Sequence, residues 1–134
     1  MTILTPHPGE FSKMTGMPTK DIQKDRLRLA SEYATSNKVT VVLKGRNTVM
    51  AFPDGDVWVN ATGNDGLAKG GTGDTLTGMI LAFISFYEDK KAAVANAVYC
   101  HGASADHWSE TRANASLLAS DVSENLAYVL NDFE

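Results

Sequence analysis

The sequence has 134 residues, 43% of them hydrophobic and 21% charged, which is enough chain for one globular domain that buries its own core without staples. Its net charge is −4 with acids and bases interspersed, so no basic stripe for nucleic acid is present, and any phosphate must be held locally by backbone amides and a few cations. The single cysteine, Cys100, rules out an intramolecular disulfide and fits a reducing, cytoplasmic setting; no run of about 18 apolar residues suggests a membrane span, and Thr5, Pro6, His7 and Pro8 break any signal-like stretch.

In chain order, Thr5-Pro6-His7-Pro8-Gly9-Glu10 reads as a rigid, non-helical turn because two prolines and a glycine fall within it. A short helix is expected from Phe11 to Thr15, stopped by Gly16. Asp21 to Ser36 reads as one helix, with Ile22, Leu29, Ala30 and Tyr33 near one face and Asn37 at its end. Val39 to Leu43 is β-branched and nearly all apolar, the pattern of a strand covered on both faces. Thr48–Phe52 and Val57–Asn60 read as a hairpin around Pro53-Asp54-Gly55. A glycine-rich loop from Thr62 to Asp74 leads into an amphipathic helix carrying Leu76, Met79, Ile80, Phe83, Ile84 and Tyr87. Lys91 to Asp106 reads as a buried, alanine-rich helix. Ser120 is placed as the cap of a last helix, with Val122, Leu126, Val129 and Leu130 on one face. Strands and helices alternate, so the class is α/β.

The chemistry is expected at Gly70-Gly71-Thr72-Gly73-Asp74, which opens a helix. The first amides of a helix have no internal acceptor, and with the helix dipole they form an anion site. Glycine lets the backbone approach a phosphate closely. Asp74 then puts a carboxylate beside that anion, where it can accept a proton from an attacking hydroxyl. The string is not a P-loop, because Asp74 rather than Lys follows Gly73. It is not a dinucleotide fingerprint either, because Leu76 stands where the third glycine is needed. Taken alone, it is equally compatible with an ordinary helix start.

Four ordered segments carry a resemblance: Thr5-Pro6-His7-Pro8-Gly9-Glu10, Val42-Leu43-Lys44-Gly45, Asn60-Ala61-Thr62-Gly63-Asn64, and Gly70-Gly71-Thr72-Gly73-Asp74. With Tyr99-Cys100-His101-Gly102 and Asp106 downstream, the chain from Leu4 to about Val122 resembles the NAD(P)H-hydrate dehydratase family. The resemblance implies a ribokinase-like three-layer α/β sandwich, here its second half. It implies that ADP or ATP drives water out of hydrated NADH or NADPH, with Mg²⁺ on the nucleotide phosphates. It makes Asp74 the catalytic base and a substrate contact, and His7 a substrate contact. It assigns Lys44, Gly45, Arg46, Asn47 and Thr48 to the adenosine monophosphate part of the nucleotide and Gly73 to a nucleotide contact, while the helix start makes Gly70, Gly71 and Thr72 nucleotide-binding candidates beside it.

Bland alternatives stand beside these assignments. His7 could be fixed by turn structure alone, and Lys44 could be an exposed cation at a strand end. Asn60 and Asn64 could orient a ligand or shape turns. Lys69 could reach a phosphate, though a solvated loop lysine is the plainer expectation. His101 and His107 read as structural, and Glu10 as a helix cap. No zinc-type spacing is present, so no protein metal site is expected. The family's first half has no counterpart here, so the chain is expected to form homo-oligomers or to pair with a second chain supplying it. A small-molecule kinase of the thiazole or pyridoxal type and a non-catalytic nucleotide-binding module remain as alternatives.

Overall fold

The computed structural model describes residues 1–133. The chain forms two compact units, Met1–Asn60 and the remainder from Ala61 onward.

The first unit is a mixed four-stranded sheet with helices. In chain order it holds β1 (Ile3–Leu4), α1 (Pro8–Thr15), α2 (Thr19–Lys24), α3 (Arg26–Asn37), β2 (Thr40–Leu43), β3 (Val49–Ala51) and β4 (Val57–Val59). The strands lie in the order β1-β2-β3-β4. β1 and β2 are parallel, with Ile3 opposite Thr40, and the other two pairs are antiparallel, with Val42 opposite Met50 and Met50 opposite Trp58. One parallel pair in three is fewer than a mostly parallel family sheet suggests, because the hairpin fills one side of β2. All four β2 residues are buried, as its unbroken apolar run requires. Val41, Leu43, Val49 and Ala51 share a core with Phe11, Ile22, Leu29, Ala30 and Ala34 from the helices. Phe11 and Tyr33 meet edge to face there, with centroids 5.5 Å apart.

Two sequence expectations change in this unit. Helix α1 begins at Pro8 rather than Phe11, so Pro8, Gly9 and Glu10 are helical. Proline suits a first helical position, where no N–H is needed and its fixed φ is already helical. The helix expected across residues 21–36 is two helices, broken at Asp25 with φ −149° and ψ 50°. A continuous helix would carry Arg26 in the stripe of Ile22, four residues back. The break instead frees its guanidinium to donate to the carbonyls of Leu43 (3.0 Å) and Lys44 (3.4 Å) at the end of β2. Burial pushes the Arg26 pKa down, since those partners are neutral. The helix ends as expected at Asn37, and Lys38 takes the left-handed conformation with φ 54°.

The second unit is helical: α4 (Thr72–Phe86), α5 (Lys90–Ser109) and α6 (Ala119–Asn131), with short 3-10 turns at Asp65–Leu67 and Asn114–Ser116. Leu76, Met79, Ile80 and Phe83 are the buried stripe of α4, as their spacing implies. Tyr87 is the exposed C-cap. α5 buries Ala93, Val94, Ala97, Val98 and Ala105. Gly102 lets it touch the loop before α4: a Cβ there would lie 2.6 Å from the Thr62 carbonyl carbon and 2.8 Å from the Gly63 nitrogen. In α6, Val122 and Val129 are buried together with Asn125, whereas Leu130 is 41% exposed. Ser120 does not cap this helix; it lies inside the first turn, and the Asp121 carboxylate accepts from the Leu118 N–H at 2.8 Å.

Candidate functional site

In the first unit, His7 is the N-cap of α1. Its Nδ1 accepts from the Glu10 N–H at 3.2 Å, and the Glu10 carboxylate accepts from the His7 N–H at 2.8 Å. This is a reciprocal capping box with histidine in the usual Ser or Thr place. Nδ1 being the acceptor, the neutral ring carries its proton on Nε2, which lies 3.6 Å from the Glu10 carboxylate on a half-exposed side chain. The His7 N–H bond, helped by His7, Lys44 and Lys13, lowers the Glu10 pKa against a smaller cost of burial. Glu10 is therefore the cap the sequence suggested.

The Lys44–Thr48 segment lies beside that turn. The Lys44 N–H donates to the Pro6 carbonyl at 2.9 Å, so the strand end and the Pro-His-Pro turn are tied together. The segment is a tight, mostly exposed turn, with Gly45 at φ 148° and Asn47 at φ 58°. The Thr48 hydroxyl donates to the Gly45 carbonyl at 3.1 Å. A Cβ on Gly45 would sit 2.8 Å from the Arg26 guanidinium, whose flexible side chain would have to shift, and the φ of 148° favours glycine there.

In the second unit, Gly71 at φ 90° is the N-cap of α4, and Thr72, Gly73 and Asp74 form its first turn. The Thr72 side chain is buried and turned inward: its hydroxyl has one proton to share between the carbonyls of Leu67 (2.7 Å) and Lys69 (2.8 Å). What Thr72 can offer a ligand is backbone. The exposed Asp74 carboxylate has no hydrogen-bond or ion-pair partner among the described residues. Gly70 is open, with nothing within 4 Å of where a Cβ would stand.

Several contacts that sequence reasoning missed hold this loop. Asp106 accepts from the Gly63 N–H (2.8 Å) and the Asn64 side-chain amide (3.0 Å). The Asn64 carbonyl oxygen accepts from the Gly66 N–H at 2.9 Å, so Asn64 shapes the turn. Asn114 donates to Asp65 at 2.7 Å. Lys69 is not a free loop cation: its half-buried side chain donates to the carbonyls of Ala115 and Leu117. His101 is buried, as a structural histidine should be, and its Nε2 meets the Thr72 carbonyl at 2.8 Å. His107 stacks on Tyr128, with ring centroids 4.9 Å apart.

A mixed sheet carrying helices and a Gly-Thr-Gly-Asp helix start fit a ribokinase-like α/β protein, and the structural match bears that class out. The structure matches a ribokinase-like superfamily protein from Enterococcus faecalis with a TM-score of 0.85 and 28% identity, over 98% of this chain and 44% of that one. The chain belongs to the NAD(P)H-hydrate dehydratase family, which it matches over residues 1–127. It is 55% identical over 132 residues to the ADP-dependent (S)-NAD(P)H-hydrate dehydratase of Bacillus subtilis, covering 98% of this chain and 48% of that protein. A crystal structure of the Bacillus subtilis ADP/ATP-dependent enzyme, co-crystallised with ATP and Mg²⁺, superposes with a TM-score of 0.97. The bifunctional NAD(P)H-hydrate repair enzyme of Moorella thermoacetica is 41% identical over 98% of this chain and 25% of its own length. The chain thus spans about half the length of the single-function relative and a quarter of the bifunctional one.

Proposed function

We propose that this chain supplies the nucleotide-holding and catalytic half of an ADP- or ATP-dependent NAD(P)H-hydrate dehydratase, a lyase of nicotinamide cofactor repair. The observation that carries the proposal is the first turn of α4. There the glycine string presents helix-start amides, and the unpartnered Asp74 carboxylate stands beside them, in a chain of this family.

In this reading Asp74 takes the proton from the C6 hydroxyl of the hydrated nicotinamide ring. The freed oxygen attacks the terminal phosphorus of ADP or ATP, and the bond to the departing AMP or ADP breaks. The Gly71–Gly73 backbone stabilises charge developing on the phosphoryl oxygens. The C6–O bond then breaks with the ring nitrogen pushing, phosphate departs, and a proton leaves the neighbouring carbon. The balance is NAD(P)H, phosphate and the shorter nucleotide. Lys44, Gly45, Arg46, Asn47 and Thr48 are assigned to the adenosine monophosphate part, and the half-exposed His7 side chain to the hydrate.

Mg²⁺ would neutralise charge on the nucleotide phosphates. The described residues hold no group of three or more His, Cys, Asp or Glu fit to ligate a metal.

The partner side of the proposal rests on β1. Its two residues pair only with β2 among the described residues, leaving a sheet edge. We assign that edge to a further strand from a second chain, either another copy or one supplying the rest of the family domain. Light scattering on the purified chain should give a mass above the monomer, and a clean monomer with full activity would refute this part. The setting is a reducing cytoplasm, where nicotinamide cofactors turn over; no helix among the described residues is long and apolar enough to cross a membrane. The test of the activity is recovery of NADH absorbance from NADH hydrate with ADP and ATP compared, alone and with any co-purifying chain. Phosphorylation of a thiazole or pyridoxal substrate without hydrate turnover would favour a kinase instead.

A further inference from the structure

We infer that His101 is a positioning residue for Gly73 and Asp74, acting through the Thr72 carbonyl; its catalytic consequence rests on the dehydratase reading above. Left to itself the string is flexible. Three of the four residues from 70 to 73 are glycine, the residue that loses most conformational freedom on ordering. A site made of backbone amides works only when those amides are held still beforehand. Thr72 is the sole residue in the string with a side chain, and the bonds to the carbonyls of Gly71 and Gly73 come from Thr75 and Thr77 of α4 itself.

Thr72 is anchored in two ways. Its hydroxyl bonds to Leu67 and Lys69, partners within the same loop that move with it. Its carbonyl receives the bond from His101, 29 residues away on α5, and this ties the string to another element. A carbonyl can only accept, so Nε2 carries the hydrogen. Lys69 anchors the loop before the string begins, through Ala115 and Leu117. The position of His101 makes the same point. It is 8% exposed in a helix otherwise lined on its buried side by Ala, Val, Gly, Cys and Ser, where an imidazole without a partner would be costly. The residue it grips is next to Gly73 and two before Asp74, so a shift of the Thr72 carbonyl moves both.

The test has one arm independent of activity. In the full chain, His101→Leu fills the space without donating, and His101→Gln keeps an N–H donor at similar reach. Hydrogen exchange is followed at Thr75, whose N–H bonds Gly71, and at Leu76 in the same turn. We expect about 5- to 10-fold faster exchange there in His101→Leu, the equivalent of one hydrogen bond, with wild-type protection later in α4 and recovery in His101→Gln. Hydrate turnover is measured in parallel. The expected signature is kcat lower by about 10²-fold in His101→Leu, the cost of misplacing a reacting group by about 1 Å, with the nucleotide KM nearly unchanged and partial recovery in His101→Gln. First-turn exchange equal to wild type in His101→Leu overturns the inference, as does unchanged kcat alongside faster exchange. Should His101→Leu fail to fold, His101→Gln against the shorter His101→Asn decides: equal exchange in the two overturns it, and protection only with Gln supports it. A wild-type protein that does not turn over hydrate counts against the dehydratase reading, and the exchange comparison then decides the anchoring by itself.

Discussion

Asp106 offers a direct test of how α5 holds the loop before α4. Its two oxygens accept from the Gly63 N–H at 2.8 Å and from the Asn64 amide at 3.0 Å. Asp106→Asn keeps the shape but turns one acceptor into a donor. In either orientation of the new amide, one donor then faces another. Asn64 cannot flip to repair this, because its oxygen is already held by the Gly66 N–H at 2.9 Å. One part-buried donor is left without a partner, at a cost of about 1–3 kcal/mol. Asn64→Asp fails for the complementary reason, setting two carboxylates against each other. The double variant Asp106→Asn with Asn64→Asp restores every bond. The new amide at position 106 donates to the new carboxylate at position 64 and accepts from Gly63, while that carboxylate still accepts from Gly66. Denaturant unfolding of the four proteins forms a double-mutant cycle. Each single variant should lose stability by the stated amount, and the double variant should regain most of it, so that the coupling energy approaches the sum of the two single losses, about 2–6 kcal/mol. A double variant as unstable as the two singles added together would refute the bonding pattern.

Other outcomes follow from the site. Asp74→Asn should lower turnover about 10²–10⁴-fold, the usual contribution of a general base, while isothermal titration finds nucleotide affinity nearly unchanged. ADP and ATP should stabilise the chain by about 2.7 kcal/mol at one hundred times the dissociation constant, read as a rise in melting temperature; no shift at millimolar nucleotide would remove the assignments at Lys44–Thr48 and Gly70–Gly73. The capping box at α1 should depend on pH. Because the Glu10 pKa is lowered in the fold, its contribution is complete above the unfolded glutamate value of about 4.3 and is lost as pH falls through the lowered one. The stability difference between wild type and Glu10→Gln should therefore shrink in acid, and a difference constant from pH 7 to pH 3 would contradict that sign.

What was legible in the sequence had short-range causes. β2 followed from a run of β-branched residues, the hairpin from Pro53-Asp54-Gly55, and α4 from the spacing of Leu76, Met79, Ile80 and Phe83. The Gly-Thr-Gly-Asp helix start was visible because its glycines and its acid are neighbours in the chain. The errors arose where a distant partner decided. The break at Asp25 reflects carbonyls at the end of β2, 17 residues beyond Arg26. Lys69 reads as a free cation until the carbonyls of Ala115 and Leu117 are beside it, 46 and 48 residues on. The start of α1 has a local cause instead: two prolines and a glycine read as turn formers, although Pro8 sits where a helix accepts it. Asp106 reads only as part of a motif, since nothing near it in the chain points to Gly63 and Asn64.

Gly102 has a mechanical consequence. Most helices meet their neighbours through side chains, which can rotate and absorb small displacements. Here the backbone of α5 lies directly on the backbone of Thr62 and Gly63, too close for even a methyl group. A contact of that kind has no soft layer. Any sliding or tilting of α5 is delivered undamped to the loop that leads into the glycine string, and strain in that loop is returned to the helix in the same way. The two segments behave as one stiff part, and a ligand that presses on the loop will be resisted by the whole of α5 rather than by the loop alone.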